Sequence, residues 1–297
     1  MSASPPKPVN ALTVDVEEYF QVQALSSVYK PSTWDGCESR VAQSTDAILT
    51  VLDSSCARAT FFILGWVAER QAGLVRRIAA AGHEVACHGY GHQRVDALTP
   101  EEFRNDVRRS RAILEDAAGV AVRGYRAPTF SVGPHTPWAW RVLEEEGYAY
   151  SSSAYPVVRD YYAFAEAPRG PFRPQGAETL MEIPIATVRL GERNWPAGGG
   201  GYFRLLPYAI SRWALRRINE VDRMPAVFYL HPWELDPGQP RAKGAPLKSN
   251  LRHYMNLGAT RRRLERLARD FHWDRMDRVF GLDQGEAPIA SPQATPA

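Results

Sequence analysis

The feature that most restricts the fold of this chain is the alternation of short apolar runs with segments of helical periodicity. The segments between the runs carry an apolar residue at every third or fourth position, as one face of an amphipathic helix does. Strands that alternate with helices form parallel βα units with right-handed crossovers. The sequence therefore predicts an α/β fold with seven parallel strands, which begin at Ala11, Ala59, His83, Val122, Tyr148, Leu180 and Ala226.

The density of these units favours a barrel over an open sheet. Seven units over about 225 residues fit a closed or nearly closed ring of strands. The first strand is not followed by the glycine-rich turn that binds dinucleotides in doubly wound sheets. A glycine run at residues 198–201 lacks the Lys-Ser/Thr pair of a phosphate-binding loop and is interpreted as a flexible loop near a site. We therefore expect a distorted seven-stranded (β/α) barrel.

Capping residues predict where some of the helices begin and end. Residues 99–102, Thr-Pro-Glu-Glu, supply an N-cap threonine, a proline at the first helical position and a glutamate at the third. Another helix is expected after Thr136, with its end at Gly147. A last helix should turn its leucines toward the body of the protein and its arginines outward, at Arg261, Arg262 and Arg263.

The chain is expected to consist of one main domain with an extension and two loose ends. Residues 1–9 and 283–297 lack an apolar period and are predicted to be disordered. The barrel is expected over residues 10–235, and a C-terminal extension over residues 236–282 is expected to pack on it.

Composition narrows the classes of protein. The net charge of +3, from 36 basic and 33 acidic residues, gives no reason to expect a nucleic-acid partner. The cysteines, Cys37, Cys56 and Cys87, are too few for a disulfide framework. No signal segment is visible, and the longest uncharged apolar stretch, residues 59–68, is about half the length of a membrane span. We expect a protein of the cytoplasm or of the inner-membrane periphery.

Titratable residues gather where four of the predicted strands end. The active sites of α/β barrels lie at the carboxyl ends of the strands, so these residues are the first candidates for catalysis. Alternation along the first strand turns Thr13, Asp15 and Glu17 toward the barrel axis, while Glu18 points away if the strand continues. The other strand ends contribute further candidates, namely His88, His92, Arg126 and His231.

These residue types suit metal-assisted hydrolysis of an amide or an ester. Two imidazoles three residues apart, such as His88 and His92, reach one ion if the chain turns helically after the strand. Glu17 from the neighbouring strand completes three ligands and leaves one position open for water, whose pKa the metal lowers. Asp15 then serves as the base, and His231 serves as the proton donor from across the barrel.

Other residues receive supporting interpretations. Arg126 is expected to hold Asp15 ionised and oriented. Three residues on the third strand are interpreted as structural: His83 and Cys87 through packing, and Glu84 as a hydrogen-bonded carboxylate. The candidates for contact with a sugar substrate are Tyr155, Trp195, Tyr202 and Trp233, although aromatic residues after a strand are as often part of a core.

Taken together, these motifs resemble the polysaccharide deacetylases with a NodB-type homology domain, carbohydrate esterase family 4. The resemblance covers residues 10–233 and is carried by ATFFILG, GHEVACHGYGH, GYRAP and LHPWE. It implies that His88 and His92 bind the metal, that Arg126 orients the base and that His231 is the general acid. The implied fold is the distorted barrel of that family.

The sequence departs from the family pattern at two places. The first motif of the family has two adjacent aspartates, the base and a ligand, whereas LTVDVEEYF has Val16 after Asp15. A subset of the family spaces the pair by one residue, which favours Glu17 as the ligand and leaves Glu18 as an alternative. The fourth motif normally supplies an aspartate that tunes the acid histidine. YSSSAYP has none, and Asp160 and Glu182 are the candidate substitutes.

Segments outside the core motifs resemble deacetylases found beside exosortase and exopolysaccharide loci. This implies a divalent metal, with Zn²⁺ favoured over Co²⁺ or Ni²⁺, and removal of N-acetyl groups from an amino-sugar polymer or its precursor. Contact with membrane-associated export machinery is a further possibility that the sequence leaves open.

Two other functions also remain open, a hydrolase of small cyclic amides and a catalytically degenerate carbohydrate-binding protein. An open groove would favour the polymer, and a compact pocket closed by the glycine loop would favour the small amide.

Overall fold

The computed structural model describes residues 8–158 and 164–283. The predicted disordered ends lie almost wholly outside these ranges. Asp160, one of the two candidate substitutes for the missing fourth-motif aspartate, lies outside them as well.

The seven predicted strands form one curled parallel sheet, which confirms the fold class. The central strand pairs with the second strand on one side and with the last barrel strand on the other, and the remaining strands follow the second in chain order. With three strands that were not predicted, the strands are β1 Val9–Val16, β2 Thr60–Ile63, β3 Glu84–Cys87, β4 Gly124–Tyr125, β5 Tyr150–Ser151, β6 Met181–Glu182, β7 Thr187–Leu190, β8 Arg193–Pro196, β9 Val227–Leu230 and β10 His272–Asp274.

The gap between β6 and β9 is spanned by an extended segment at residues 183–186. The amide of Ile185 donates to the carbonyl of Ala154 at 3.0 Å, and the amide of Ala186 donates to that of Val227 at 3.1 Å. The ring of strands is therefore nearly closed, as the spacing of the units predicts.

The unpredicted strands are those that lack an apolar pattern of their own. In β7 two buried residues are followed by two exposed ones, and β8 alternates only between exposed and half-buried residues. The two form an antiparallel hairpin. The strand β10, three residues long, pairs in parallel with the start of β1, so the C-terminal extension adds a strand to the barrel sheet.

Helices cover the outside of the sheet, and the predicted capping box is confirmed. The side chains of Thr99 and Glu102 each accept from the other's backbone, and Gly119 ends that helix in the left-handed region. The helix expected after Thr136 begins two residues later. The helices are α1 Val41–Ser54, α2 Gly65–Arg70, α3 Ala72–Ala80, α4 Pro100–Ala118, α5 Trp138–Glu145, α6 Gly201–Leu205, α7 Tyr208–Glu220, α8 Leu247–Tyr254, α9 Leu257–Asp270 and α10 Met276–Val279.

None of the helices within residues 8–158 and 164–283 is long and apolar enough to cross a membrane.

Side-chain alternation on β1 separates two apolar cores. Leu12, Val14 and Val16 pack outward against the helices, as predicted. A second, smaller core, which includes Phe62 and Tyr150, fills the space inside the barrel. The inward positions of β1 that follow Ala11 are instead polar, so the upper part of the barrel interior is available for chemistry.

Two expectations about the C-terminal half are wrong. Arg263 does not face outward, because its guanidinium donates to the carbonyls of Phe203, Arg204 and Leu206 at 2.6–3.0 Å and so ties α9 to α6. The glycine run is not a loose loop. Its first three members are buried against β9, and a Cβ at Gly199 would lie 2.1 Å from the carbonyl oxygen of Tyr229. Glycine is therefore required by close backbone approach.

Candidate active site

The end of β1 places Asp15 and Glu17 on the inner side of the barrel. Both side chains are about 2% exposed. Glu18 points the other way, where its carboxylate accepts from the hydroxyl of Ser39 at 2.5 Å and from the amide of Arg40 at 3.0 Å. Of the two glutamates that the sequence left open, only Glu17 is therefore available to the site.

A turn after β3 brings the two histidines of the HxxxH motif together. The sequence analysis expected a helical turn, and this expectation is wrong because residues 88–94 are not helical. The chain instead reverses through left-handed conformations at Gly89 (φ 74°) and His92 (φ 52°). The carboxylate of Asp106 on α4 accepts from the amide of Tyr90 and holds this turn in place.

Glu17, His88 and His92 form the candidate metal site. One ligand atom of each residue lies within 4.8 Å of the others. Oε2 of Glu17 is 2.7 Å from Nε2 of His92, and Oε1 accepts from the indole of Trp233 at 3.0 Å. Burial opposes ionisation of Glu17, but His92 and the other nearby imidazoles outweigh burial and lower its pKa.

The orientation of His88 leaves one ring nitrogen for a ligand. Its Nδ1 donates to the carbonyl oxygen of Arg126 at 2.8 Å, so Nε2 is the nitrogen that remains. Burial lowers the pKa of His88 to about 4, which keeps the imidazole neutral near pH 7. A neutral imidazole whose other nitrogen is fixed by a hydrogen bond is the usual form of a metal ligand.

The donor set fits a divalent cation. Two imidazoles and one carboxylate are a common ligand set of catalytic zinc sites, which keep a further position open. Oε2 of Glu17 is buried and accepts no hydrogen bond from any described residue, which is rare for a buried carboxylate oxygen. A cation held by these three residues would satisfy it.

Arg126 fixes Asp15 beside this set. The guanidinium is fully buried, and its Nη1 contacts Oδ1 of Asp15 at 2.6 Å and the hydroxyl of Thr13 at 2.7 Å. The other side of the guanidinium donates to the backbone carbonyl and the hydroxyl of Ser152. These contacts hold Asp15 in one orientation and leave its Oδ2 facing the site.

His231 approaches Asp15 from the end of β9. Its Nε2 lies 3.9 Å from Oδ2 of Asp15 and 3.7 Å from Oε1 of Glu17. Its Nδ1 donates to Oε1 of Glu234 at 2.7 Å. Burial alone would lower the pKa of His231, but the hydrogen bond to Glu234 and the carboxylates of Glu17 and Asp15 together raise it to about 9.

Glu234 is the site residue that the sequence analysis missed. It stands three residues after His231 in LHPWE, where a 3-10 turn beginning at Pro232 brings the two side chains together. Its second oxygen forms a buried ion pair with Arg204 at 3.3 Å. A carboxylate three residues beyond a candidate acid histidine, with a proline between them, is the signal that could have identified it.

The candidate substitute Glu182 is occupied elsewhere. Its carboxylate accepts from the amides of Ser153 and Ala154 and from the indole of Trp140, at 2.7–2.8 Å. Glu182 is therefore not the substitute for the missing fourth-motif aspartate, because these contacts anchor it just after β5 and to α5.

The four aromatic residues proposed for sugar contact fall into two groups. Trp233 is 7% exposed, and both His231 and His253 stack on its indole. Tyr155 is 2% exposed and packs inside the barrel. Neither ring presents a face to a sugar, so the expected stacking role does not fit them.

Trp195 and Tyr202 line a cleft of about 1210 Å³ that is open to solvent. Trp195 on β8 is 53% exposed. Just before Tyr202, the amide of Gly200 donates to the carbonyl of Tyr229 at 2.9 Å, on the strand that ends at His231. No residue of the candidate site lines this cleft, but the glycine run beside it is hydrogen-bonded to the strand that leads to His231.

The residues interpreted as structural have structural contacts. Nδ1 of His83 accepts from the amide of Ala59, and Cys87 lies in the core beneath the helices. Glu84 accepts from the hydroxyls of Thr60 and Tyr150.

Comparison with known proteins finds two domain matches and several partial relatives. A family model described as "Polysaccharide deacetylase" matches residues 29–151, and one described as "Domain of unknown function (DUF3473)" matches residues 152–281. A peptidoglycan-N-acetylglucosamine deacetylase of Bacillus cereus is 37% identical over 28% of this chain and 30% of its own length. A chitooligosaccharide deacetylase of Bradyrhizobium is 30% identical over 50% of this chain and 61% of its own length.

Solved structures share the fold over nearly the whole chain. A Mycobacterium smegmatis protein described as a candidate polysaccharide deacetylase has a TM-score of 0.60 at 22% identity, covering 94% of this chain and 91% of its own. A carbohydrate esterase family 4 pseudoenzyme of Bacillus anthracis has a TM-score of 0.51 at 13% identity, covering 94% and 67%. At these identities the likeness concerns the fold alone. The chain therefore contains a polysaccharide deacetylase domain, matched over residues 29–151, and shares the fold of these solved structures.

Proposed function

We propose that this protein is a metal-dependent hydrolase that removes N-acetyl groups from amino-sugar residues of a polysaccharide. The observation that carries the proposal is the placement of a candidate base and a candidate acid beside one metal-ligand set. Oδ2 of Asp15 and Nε2 of His231 lie 3.9 Å apart, and both border the set formed by Glu17, His88 and His92.

The three ligands would hold a divalent cation, with Zn²⁺ favoured and Co²⁺ or Ni²⁺ as alternatives. When bound, such a cation polarises an amide carbonyl and lowers the pKa of water. The chain's own contribution is to keep His88 neutral, Glu17 ionised and the first ligand shell fixed by the indole of Trp233 and the carbonyl of Arg126.

Asp15 is the proposed general base. Its Oδ1 is engaged by Arg126 at 2.6 Å, so the carboxylate cannot rotate away, and Oδ2 receives the proton of the attacking water. The guanidinium also stabilises the ionised carboxylate that the reaction requires.

His231 is the proposed general acid. Glu234 holds Nδ1–H, so the proton on Nε2 is the one presented to the departing amine nitrogen. The ion pair between Glu234 and Arg204 keeps that carboxylate in place behind the imidazole. Glu234 and Arg204 act through His231 and are positioning residues.

The open cleft beside the hairpin β7–β8 supports a polymer rather than a small cyclic amide as the substrate. A half-exposed indole such as that of Trp195 offers a flat apolar face, which suits stacking on a sugar ring. Tyr202, at the end of the cleft nearer the glycine run, is the second proposed sugar contact. The relatives named for peptidoglycan and chitooligosaccharide deacetylation act on N-acetylated glycans. We propose an N-acetylated exopolysaccharide or its precursor as the substrate here.

Acetate release from acetylated β-linked glucosamine oligomers, measured together with the metal content of the same preparation, tests the proposal. The wild-type protein should release acetate in proportion to bound metal. Asp15→Asn should keep the metal, because Asp15 is not one of the three ligands, and should lose roughly 10²–10⁴-fold in kcat, the usual contribution of a general base.

Three results would contradict the proposal in different ways. Bound metal without release from any oligomer would favour a hydrolase of small amides. Neither metal nor release would favour a carbohydrate-binding protein without catalysis. Full activity of Asp15→Asn would remove Asp15 from the mechanism while leaving the reaction class standing.

A further inference from the structure

The C-terminal extension contains a long stretch without acidic side chains. Residues 237–264 carry seven of the chain's 36 basic residues and none of its 33 acidic residues. The charge of the protein is therefore unevenly distributed, because the whole chain has a net charge of only +3. We propose that this stretch, through α8, docks the protein on an anionic lipid bilayer.

The exposed face of α8 is apolar. Leu247 is 84% exposed and Leu251 is 59% exposed, and they are four residues apart, so they lie on one side of the helix. At the C-terminal end of the helix, His253 and Tyr254 are buried and anchor it to the protein. The helix packs against the turn Gln23–Leu25, which has no charged residue. The leucines thus protrude while the helix itself stays anchored.

Basic side chains surround these leucines. Arg241, Lys243, Lys248 and Arg252 are all exposed, and none forms an ion pair with an acidic residue in the described part of the chain. Each Lys or Arg near an anionic bilayer contributes to binding, and leucines beside them enter the boundary between head groups and acyl chains.

A bilayer explains this surface better than an anionic glycan does. Basic residues alone would suit either partner, but protein surfaces bind sugar rings with aromatic faces rather than with protruding aliphatic side chains. Leu247 and Leu251 gain free energy only where apolar surface covers them. The cleft with the exposed aromatic Trp195 is a separate place on the molecule.

The docking surface belongs to a helix that supports the candidate active site. His253 of α8 stacks on Trp233 with ring centroids 4.3 Å apart, and Trp233 donates to Glu17. Docking through α8 therefore brings the carboxyl end of the barrel to the membrane surface. If the proposed function holds, the enzyme would meet glycan chains that are tethered to lipid.

Flotation of the purified full chain with lipid vesicles tests the docking, and it needs no activity. Vesicles of phosphatidylglycerol and phosphatidylethanolamine should bind the protein, pure phosphatidylcholine vesicles should bind it at least tenfold more weakly, and 0.5 M salt should reduce the binding. Leu247→Asp with Leu251→Asp should weaken binding by about a hundredfold, and Lys248→Gln with Arg252→Gln by about 30-fold.

Matched controls change the same chemistry elsewhere on the surface. Leu190→Asp replaces another exposed leucine, and Arg76→Gln with Arg173→Gln removes two exposed charges outside the extension. These variants should float as the wild type does. Asp15→Asn should also bind vesicles normally. The docking proposal can therefore be judged even if the protein releases no acetate.

Two outcomes would overturn the docking proposal. One is wild-type binding by the double leucine variant, which would show that charge alone acts. The other is the absence of selective flotation, either because anionic and neutral vesicles bind the protein equally or because neither binds it. Tight binding of soluble polygalacturonate that the leucine substitutions do not weaken, without flotation, would reassign the basic surface to an anionic glycan.

Discussion

Both ends of the barrel bury a carboxylate, but the two carboxylates differ in how many of their oxygens have hydrogen-bond partners within the protein. At the amino end, Oε1 of Glu84 accepts from Tyr150 at 2.8 Å, and Oε2 accepts from Thr60 at 2.5 Å and from the amide of Asp277 at 3.3 Å. The side chain of Asp277 is in turn paired with Arg275. Both oxygens of the buried Glu84 therefore have partners within the protein.

At the carboxyl end the corresponding carboxylate is left incomplete. Oε2 of Glu17 accepts no hydrogen bond from a described residue and faces His92 at 2.7 Å, with a second imidazole, that of His88, in the same cluster. An unsatisfied buried oxygen is costly unless another group completes it. The buried Glu84 is thus completed within the protein, whereas the buried Glu17 is left for a further partner among imidazoles, which is why we propose it as a metal ligand.

The largest expected effect comes from making the same substitution at the two ends. Glu17→Gln should remove bound metal and lower kcat/KM by about a thousandfold, because a neutral amide is a poor ligand for a divalent cation. Glu84→Gln should keep the metal and leave kcat/KM within about twofold. Metal analysis and acetate release on the two proteins check this. Stoichiometric metal in Glu17→Gln would mean that Glu17 is no more a metal ligand than Glu84 is.

A smaller effect is expected from the carboxylate behind the acid histidine. Glu234→Gln should lower kcat by about 30-fold with the metal retained. The hydrogen bond to Glu234 helps to raise the pKa of His231 to about 9, so the loss of that carboxylate should lower the pKa of His231. A general acid works only while protonated, so the alkaline limb of the pH–kcat profile should move down by about one pH unit.

Glu182→Gln is the matched control for this prediction, since Glu182 is the other buried carboxylate that the sequence suggested for the role. It should change thermal stability and leave the alkaline limb where it is. If the alkaline limb of the pH–kcat profile stayed unchanged in Glu234→Gln, or shifted in Glu182→Gln, Glu234 would not be the carboxylate that tunes His231.

The smallest expected effect concerns stability at the amino end. Burial, followed by the carboxylate of Asp277, raises the pKa of Glu84 from its ordinary value of 4.5 to about 8. The folded state therefore holds a proton on Glu84 that the unfolded state releases above pH 4.5. The contribution of Glu84 to the free energy of unfolding is therefore complete below pH 4.5 and is lost as the pH rises through about 8.

In Glu84→Gln the side chain does not titrate, so the free energy of unfolding of this variant should depend less on pH. Between pH 5 and pH 9 the wild type should lose roughly 1–3 kcal/mol more than the variant does. Urea unfolding of both proteins across this range measures the difference. Parallel curves would mean that Glu84 stays ionised in the folded protein.

The sequence by itself determined seven of the ten described strands and most residues of the candidate site. Seven apolar runs gave the seven parallel strands because each carries the pattern of a buried strand, and alternation along β1 placed Asp15 and Glu17 on one face. The capping box fixed the start of α4 because its contacts are local. Strands without an apolar pattern, such as β8, could not be found this way.

Only the tertiary structure decided which carboxylate meets His231 and how the HxxxH motif closes. From the sequence Glu182 was a candidate for this role and Glu234 was missed. The hydrogen bonds beside β5 hold Glu182 elsewhere, while the turn after β9 brings Glu234 to His231. His92 reaches Glu17 through left-handed backbone rather than a helix. The physical reason is that such contacts depend on the closure of the barrel, whereas alternation and capping depend on neighbours along the chain.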